Sequence, residues 1–192
     1  MGSFKDDIVF APHAVSNDSA RVALQWIRKL PDKAWQPVNL RSKDRSRIKF
    51  SAQRFYGEAE SWDTRVPPEL LALGEEAVEA ARAKAPDAPW DLFKIDTLVL
   101  NRYPKGKGVG KHHDPPKWVP LVLGVTLYDD PHNSPVNAME FAHQRDSLVV
   151  PTPHRSAYAF HGSAYWGATH ARRPCSAKQK GNVYSLTFRA YA

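Results

Sequence analysis

The segment NRYPKGKGVGKHHD, from Asn101 to Asp114, carries the strongest signal in the chain. It follows Phe93–Asn101, where the side-chain pattern has the period of two that is typical of a β-strand. His112 and Asp114 are two residues apart, so in an extended chain both point to the same side and can reach one cation. His113 points the other way and is not expected to be a ligand. With a second histidine from elsewhere, the pair would form the two-histidine, one-carboxylate triad of non-haem Fe(II) oxygenases.

The rest of the chain divides into helices before this segment and short strands after it. Helices are predicted at Asn17–Leu30, which ends before Pro31, and at Pro67–Ala83, which begins at prolines. Because no helices alternate with the later strands, the pattern argues against a parallel doubly wound sheet. The pattern favours a mainly β, α+β fold: a sandwich or jelly roll buttressed by N-terminal helices. The later strands are predicted at Leu121–Tyr128, Ala138–His143, Ser147–Val150, Ser156–Phe160 and Val183–Tyr191.

Composition limits the kind of protein and the kind of metal site. The 192 residues suit a single domain, and no apolar run reaches the roughly 18 residues that a membrane helix needs. The single cysteine, Cys175, excludes an internal disulfide and a cysteine-rich zinc site, so a metal must be held by His, Asp and Glu. The net charge of +7 favours polyanionic partners. We expect a monomeric intracellular protein, cytoplasmic or nuclear.

The quoted segment resembles the signature of the AlkB family of Fe(II)/2-oxoglutarate dioxygenases. That signature is Asn-x-Tyr, two residues, Gly, five residues and His-x-Asp, and it aligns with Asn101, Tyr103, Gly106, His112 and Asp114. The last strand is similar to the family's closing Ser/Asn-x-Thr-x-Arg pattern. The resemblance implies a double-stranded β-helix (jelly-roll) core, with Fe(II) as the metal, 2-oxoglutarate as the co-substrate and O2 as the oxidant.

The resemblance covers roughly residues 15–192 and implies a single dioxygenase domain, which leaves residues 1–14 as an N-terminal tail. Within the domain, residues 15–90 would supply the helical support and a nucleotide-recognition lid. Residues 91–192 would form the jelly-roll core.

Two histidines are candidates for the distal iron ligand. His161 is followed by Gly162, as in some relatives, but this pair also fits a strand-ending turn. A ligand usually follows such a turn by several residues, and His170 does so. His170 lies 58 residues after His112. We therefore favour His170 as the third ligand with His112 and Asp114, and keep His161 as the second candidate.

The co-substrate pocket is also inferred by resemblance. Asn101 and Tyr103 would line it, with Arg189 on the facing strand, because the planar fork of arginine grips a carboxylate through two hydrogen bonds. Period two places Ser185 and Thr187 on the same side as Arg189, so they could face the co-substrate too.

One position departs from the family pattern. Relatives usually carry a second arginine six residues before the last one, where this chain has Val183. Either Arg189 works alone, or Asn182, Lys180 or Arg172 substitutes after a bulge.

Basic residues recur at every second position from Arg41 to Lys49. If this stretch is a strand, these residues form a basic stripe suited to binding phosphates. If it is a solvated loop, the pattern has no functional meaning.

We expect oxidative demethylation of N-alkylated bases in DNA or RNA, single-stranded or with a flipped base. The alternatives are an oxygenase acting on a protein or small molecule, and a catalytically silent nucleic-acid-binding module. Pro116 stands where some adenine-repairing relatives carry an acidic residue, so their base contact cannot be transferred. Expected substrate contacts are Arg45, Arg47, Lys49, Tyr56 and Trp118.

Overall fold

A computed structural model describes residues 3–37, 46–51, 65–114 and 119–191. Short 3-10 turns connect several of its elements. The helices are α1 (Asn17–Arg28), α2 (Pro68–Arg82) and α3 (Gly162–Gly167). The strands are β1 (Ile8–Ala11), β2 (Gln36–Pro37), β3 (Ser46–Ser51), β4 (Thr97–Tyr103), β5 (Val109–His112), β6 (Leu121–Tyr128), β7 (Asn137–His143), β8 (Asp146–Thr152), β9 (Ser156–His161), β10 (Thr169–Arg172) and β11 (Val183–Arg189).

The strands form two antiparallel sheets. The larger has the order β1-β9-β6-β11-β4-β3-β2, and the smaller has the order β5-β10-β7-β8. The non-consecutive neighbours show that the chain crosses repeatedly between the sheets, as in a jelly roll. The predicted mainly β, α+β jelly roll with helical support is therefore confirmed.

The burial pattern explains how the layers are arranged. Every residue of β6 is buried, as expected for a central strand covered on both faces. On β11, Leu186 and Phe188 pack in the main apolar core with helix residues such as Ile27 and Leu70. A second apolar cluster, which includes Met139 of β7 and Phe160 of β9, joins the two sheets. The inner face of β11 is thus left for polar residues.

Residues 1–14, expected to be a tail, contribute an element of the fold. Ile8–Ala11 form β1, which pairs with β9 along four residues. Val9 and Ala11 are buried, and so is Phe4 in the turn before them. The physical reason is that β9 would otherwise end the larger sheet as an unpaired edge. A four-residue strand is too short for its alternation to be recognised in sequence.

The helices begin and end close to their predicted limits. α1 spans Asn17–Arg28 and α2 spans Pro68–Arg82, and Ser16 caps α1 by accepting the Ser19 N–H at 3.1 Å. No helix in the described ranges has the length and hydropathy of a membrane span.

Candidate metal centre

Three side chains meet at one end of the smaller sheet. His112 ends β5 and lies directly opposite His170 on β10, and Asp114 follows β5 by two residues. One potential ligand atom from each of the three lies within 4.8 Å of the others. The His112 and His170 ring centroids are 4.3 Å apart. Strand pairing therefore brings together residues that are 58 positions apart in sequence.

His112 is oriented by its own strand. Its Nδ1 lies 2.9 Å from the carbonyl oxygen of Gly110, a position in which Nδ1–H donates and Nε2 keeps its lone pair. An imidazole held in this way is a typical metal ligand. His113, the next residue, is exposed, as the period of two requires.

His170 lies in an aromatic environment. It is 6% exposed, and the rings of Phe160 and Phe141 lie 4.9 and 6.1 Å away. Burial lowers the pKa of His170 to about 4, so the imidazole is neutral at pH 7, the form that binds metal. Its Nε2 is 3.9 Å from Oδ2 of Asp114, and because the ring is neutral this approach is not an ion pair.

Asp114 uses its two oxygens differently. Its side chain is 3% exposed, and Oδ1 accepts a hydrogen bond from Nη2 of Arg189. Burial alone would raise the pKa of Asp114, but the nearby charges, that of Arg189 first, hold the pKa below its usual value. Oδ2 has no hydrogen-bond partner among the described residues. A buried, charged oxygen without a partner is costly, and a divalent cation at this point would satisfy it. The three residues therefore fit Fe(II).

His161, the second candidate for the distal ligand, lies elsewhere. It ends β9, and its Nδ1 is 3.9 Å from Oδ1 of Asp7. The structure thus groups His170, and not His161, with His112 and Asp114 in the part of the chain that it describes. Their role as ligands stays a prediction that metal binding must test.

The predicted co-substrate residues lie side by side on β4 and β11. Asn101 pairs with Ser185, and Tyr103 pairs with Val183, which confirms only that they are neighbours. Asn101 is 6% exposed, and its Oδ1 has no hydrogen-bond partner among the described residues. Thr187 is half-buried on the same face of β11 as Ser185. Their contact with a co-substrate stays a prediction.

Arg189 has a partner that the sequence did not indicate. It lies on β11, facing β4 as expected, and its guanidinium pairs with Asp114. It therefore supports a predicted metal ligand directly. This contact depends on a loop residue meeting the end of a strand 75 positions later, which no local pattern indicates. The contact of Arg189 with the co-substrate stays a prediction.

Two of the five residues predicted to contact the substrate lie within the ranges that the structure describes. Arg47 and Lys49 lie on β3, opposite Asn101 and Val99 of β4. Directly paired residues share one face of a sheet, so this basic stripe borders the pocket residues. Arg45, Tyr56 and Trp118 lie outside the described residues.

Sequence reasoning missed several polar residues of the inner face. Thr126 lies opposite Ser185 on β6, and Thr152 on β8 is fully buried. Tyr158 covers Gly124, where a Cβ would overlap the phenol ring. The only sequence signal for these residues was the alternation of polar and apolar side chains with a period of two. A strand that is buried on both faces, such as β6, does not show this alternation.

Neither a family model nor a curated protein matches this chain at the level of sequence. Solved structures do match in fold. OsALKBH1 superposes with a TM-score of 0.65 at 16% identity, covering 95% of this chain and 97% of its own. A Pseudomonas putida prolyl-4-hydroxylase has a TM-score of 0.62 at 13% identity, covering 97% of this chain and 93% of its own. At these identities the likeness shows the fold, which is the one implied by the AlkB-like motif.

Proposed function

We propose that the protein is an Fe(II)- and 2-oxoglutarate-dependent oxygenase whose metal is held by His112, Asp114 and His170. The observation that carries the proposal is the meeting of these three donors on the smaller sheet of a jelly roll. Two imidazoles and one carboxylate form the set that non-haem Fe(II) oxygenases use. The similarity in fold to an AlkB homologue and a prolyl-4-hydroxylase supports the same class.

Different residues serve the metal and the co-substrate. When bound, Fe(II) and 2-oxoglutarate supply the oxidising chemistry, in which O2 is consumed, succinate and CO2 are formed and a substrate C–H bond is hydroxylated. Gly110 orients His112, and Arg189 orients Asp114. Asn101 and Ser185 provide polar groups for the co-substrate on the adjacent strands.

For the substrate, we infer an N-alkylated base in DNA or RNA. The support is electrostatic: Arg47 and Lys49 lie on the face of the larger sheet that also carries Asn101. The chain has a net charge of +7. Cations at this place would bind the phosphates beside a base that is turned into the pocket.

The test is product formation from a panel of single-stranded DNA and RNA oligomers, methylated and unmethylated, with a prolyl peptide as the alternative substrate. We expect succinate and formaldehyde in equal amounts from a methylated oligomer only, because hydroxylation of an N-methyl carbon releases it as formaldehyde. His112→Ala and Asp114→Ala should each abolish both products.

His113→Ala is the matched control, since it changes the exposed neighbour of both ligands and should keep its activity. Turnover of the prolyl peptide and of no oligomer would contradict the nucleic-acid substrate while leaving the oxygenase class intact. Undiminished metal binding in His112→Ala and Asp114→Ala would overturn the metal site itself.

A further inference from the structure

Arg172 of β10 is a fully buried arginine that has no acidic partner in the part of the chain that the structure describes. It is 1% exposed and lies two residues after His170, hence on the same face of the strand. Its Nη1 donates to Oγ1 of Thr152 at 3.2 Å, and its Nη2 donates to Oγ1 of Thr126 at 2.9 Å. Its Nε has no hydrogen-bond partner, and no carboxylate pairs with it, among the described residues.

Within the described ranges, this arrangement leaves the charge of Arg172 without an opposite charge. Buried charges are normally paired with an opposite charge, because the loss of hydration is unfavourable when no partner replaces the water. Two neutral hydroxyl groups satisfy only part of a guanidinium that has five N–H donors. The interior around Arg172 is thus suited to an anion, whose negative charge would pair with the guanidinium.

The surroundings of Arg172 connect it to the predicted co-substrate residues. The guanidinium carbon lies 5.5 Å from the ring centroid of Tyr103. The hydroxyl of Tyr158 interacts with both Arg172 and Ser185. Thr126, which accepts from Arg172, pairs with Ser185 in the sheet. A molecule that reaches from the metal site towards Arg172 would therefore lie along this polar row.

The other residues that could replace the arginine missing at Val183 are placed differently. Lys180 is exposed, and Asn182 donates its side-chain N–H to Asp129 at 3.1 Å. Arg189 pairs with Asp114. Only Arg172 among these is enclosed by the two sheets, and the register of β5 against β10 shifts between His170 and Arg172, as at a β-bulge.

We propose that Arg172 binds the distal carboxylate of 2-oxoglutarate and so takes the role that Val183 cannot perform. The inference rests on the proposed function, since it needs the 2-oxo acid to be held at the metal. The planar fork of Arg172 pairs with both oxygens of the carboxylate, while Thr126, Thr152 and Tyr158 keep the fork in place.

The test compares two 2-oxo acids that share one metal-chelating end. Calorimetry with the Mn(II)-loaded protein gives dissociation constants for 2-oxoglutarate and for 2-oxobutyrate, which lacks the distal carboxylate. We expect the wild type to prefer 2-oxoglutarate by about a hundredfold. Arg172→Met should reduce that preference to within about threefold, with the affinity for 2-oxobutyrate unchanged.

Lys180→Met is the matched control and should keep the full preference. Arg172→Lys retains the charge but not the fork, so an intermediate preference is expected, and this variant decides the question if Arg172→Met does not fold. In the metal-free protein, succinate should raise the Tm of the wild type and not that of Arg172→Met.

The outcomes separate the two proposals. If the wild type binds neither 2-oxo acid, the proposed function fails. If the wild type binds 2-oxoglutarate and the Arg172 variants keep the wild-type preference, only the role of Arg172 fails. The same conclusion follows if Lys180→Met loses the preference.

Discussion

At the scale of single residues, Asp114 shows how one side chain serves two neighbours. Oδ1 accepts a hydrogen bond from Arg189, and Oδ2, which lies beside His170, has no hydrogen-bond partner among the residues that the structure describes. An arginine that holds one oxygen fixes the carboxylate plane, so the second oxygen stays directed at the place where the three donors meet. Partners of metal ligands usually orient them in this way.

Removal of this arginine should weaken metal binding. In Arg189→Met the buried carboxylate of Asp114 loses both its anchor and the main charge that lowers its pKa, so a proton competes better with the metal. We expect the Mn(II) dissociation constant to rise about 10- to 100-fold, and more strongly as the pH falls. Equilibrium titration followed by electron paramagnetic resonance measures it.

Arg173→Met is the control, because Arg173 is exposed and pairs with Glu140 at 3.3 Å. Its metal affinity should equal that of the wild type. Equal affinities in both variants would show that Arg189 does not position Asp114.

At the scale of elements, the geometry of the metal centre depends on a close approach between two segments. The segment before β5 packs against the segment at the end of β10. The backbone N–H of Cys175 donates to the carbonyl of Lys107 at 2.9 Å, and Gly106 turns the chain with a φ of 74°. A Cβ on Gly108 would lie 2.5 Å from the carbonyl oxygen of Arg172. A glycine is required here because the obstacle is backbone, which cannot rotate away.

Two glycines that stand two residues apart provide a test of this close approach. Gly108→Ala should lower the free energy of unfolding by about 1–3 kcal/mol, because the added methyl group pushes the two segments apart. Gly110→Ala should change it by less than about 0.5 kcal/mol, because a Cβ there meets no atom within 4 Å. Urea denaturation of both variants measures the difference. Equal effects would contradict the close packing at Gly108.

At the scale of the whole molecule, the N-terminal segment closes one edge of the larger sheet. β1 pairs with β9, and Asp7 accepts the backbone N–H of Ser163 at 2.8 Å, at the start of α3. Phe4 belongs to the apolar cluster between the sheets. Residues 3–14 are therefore part of the jelly roll rather than an addition to it.

Deletion of residues 1–14 should destabilise the protein strongly. Removal of Phe4, Val9 and Ala11 exposes core partners, and each large apolar side chain contributes about 1.5–3 kcal/mol when buried. We expect the Tm to fall by about 10 °C or more. Calorimetry compares this chain with one that lacks only residues 1–2. A drop of less than about 2 °C would show that β1 is dispensable.

The sequence by itself determined the features that depend on local spacing. Two helices, most later strands and the pairing of His112 with Asp114 on one side of the chain follow from periods of 3.6 and two, which the backbone imposes on neighbouring side chains. The jelly-roll fold followed from the order of these elements together with the AlkB-like motif.

Tertiary structure decided the features that depend on register between distant strands. It placed His170 rather than His161 opposite His112, paired Arg189 with Asp114, and buried Arg172 where no described acidic residue pairs with it. Local periodicity cannot specify these contacts, because a shift of one residue in strand pairing turns every side chain to the other face. The register is set by packing of the whole core, and the meeting of donors 58 residues apart is its consequence.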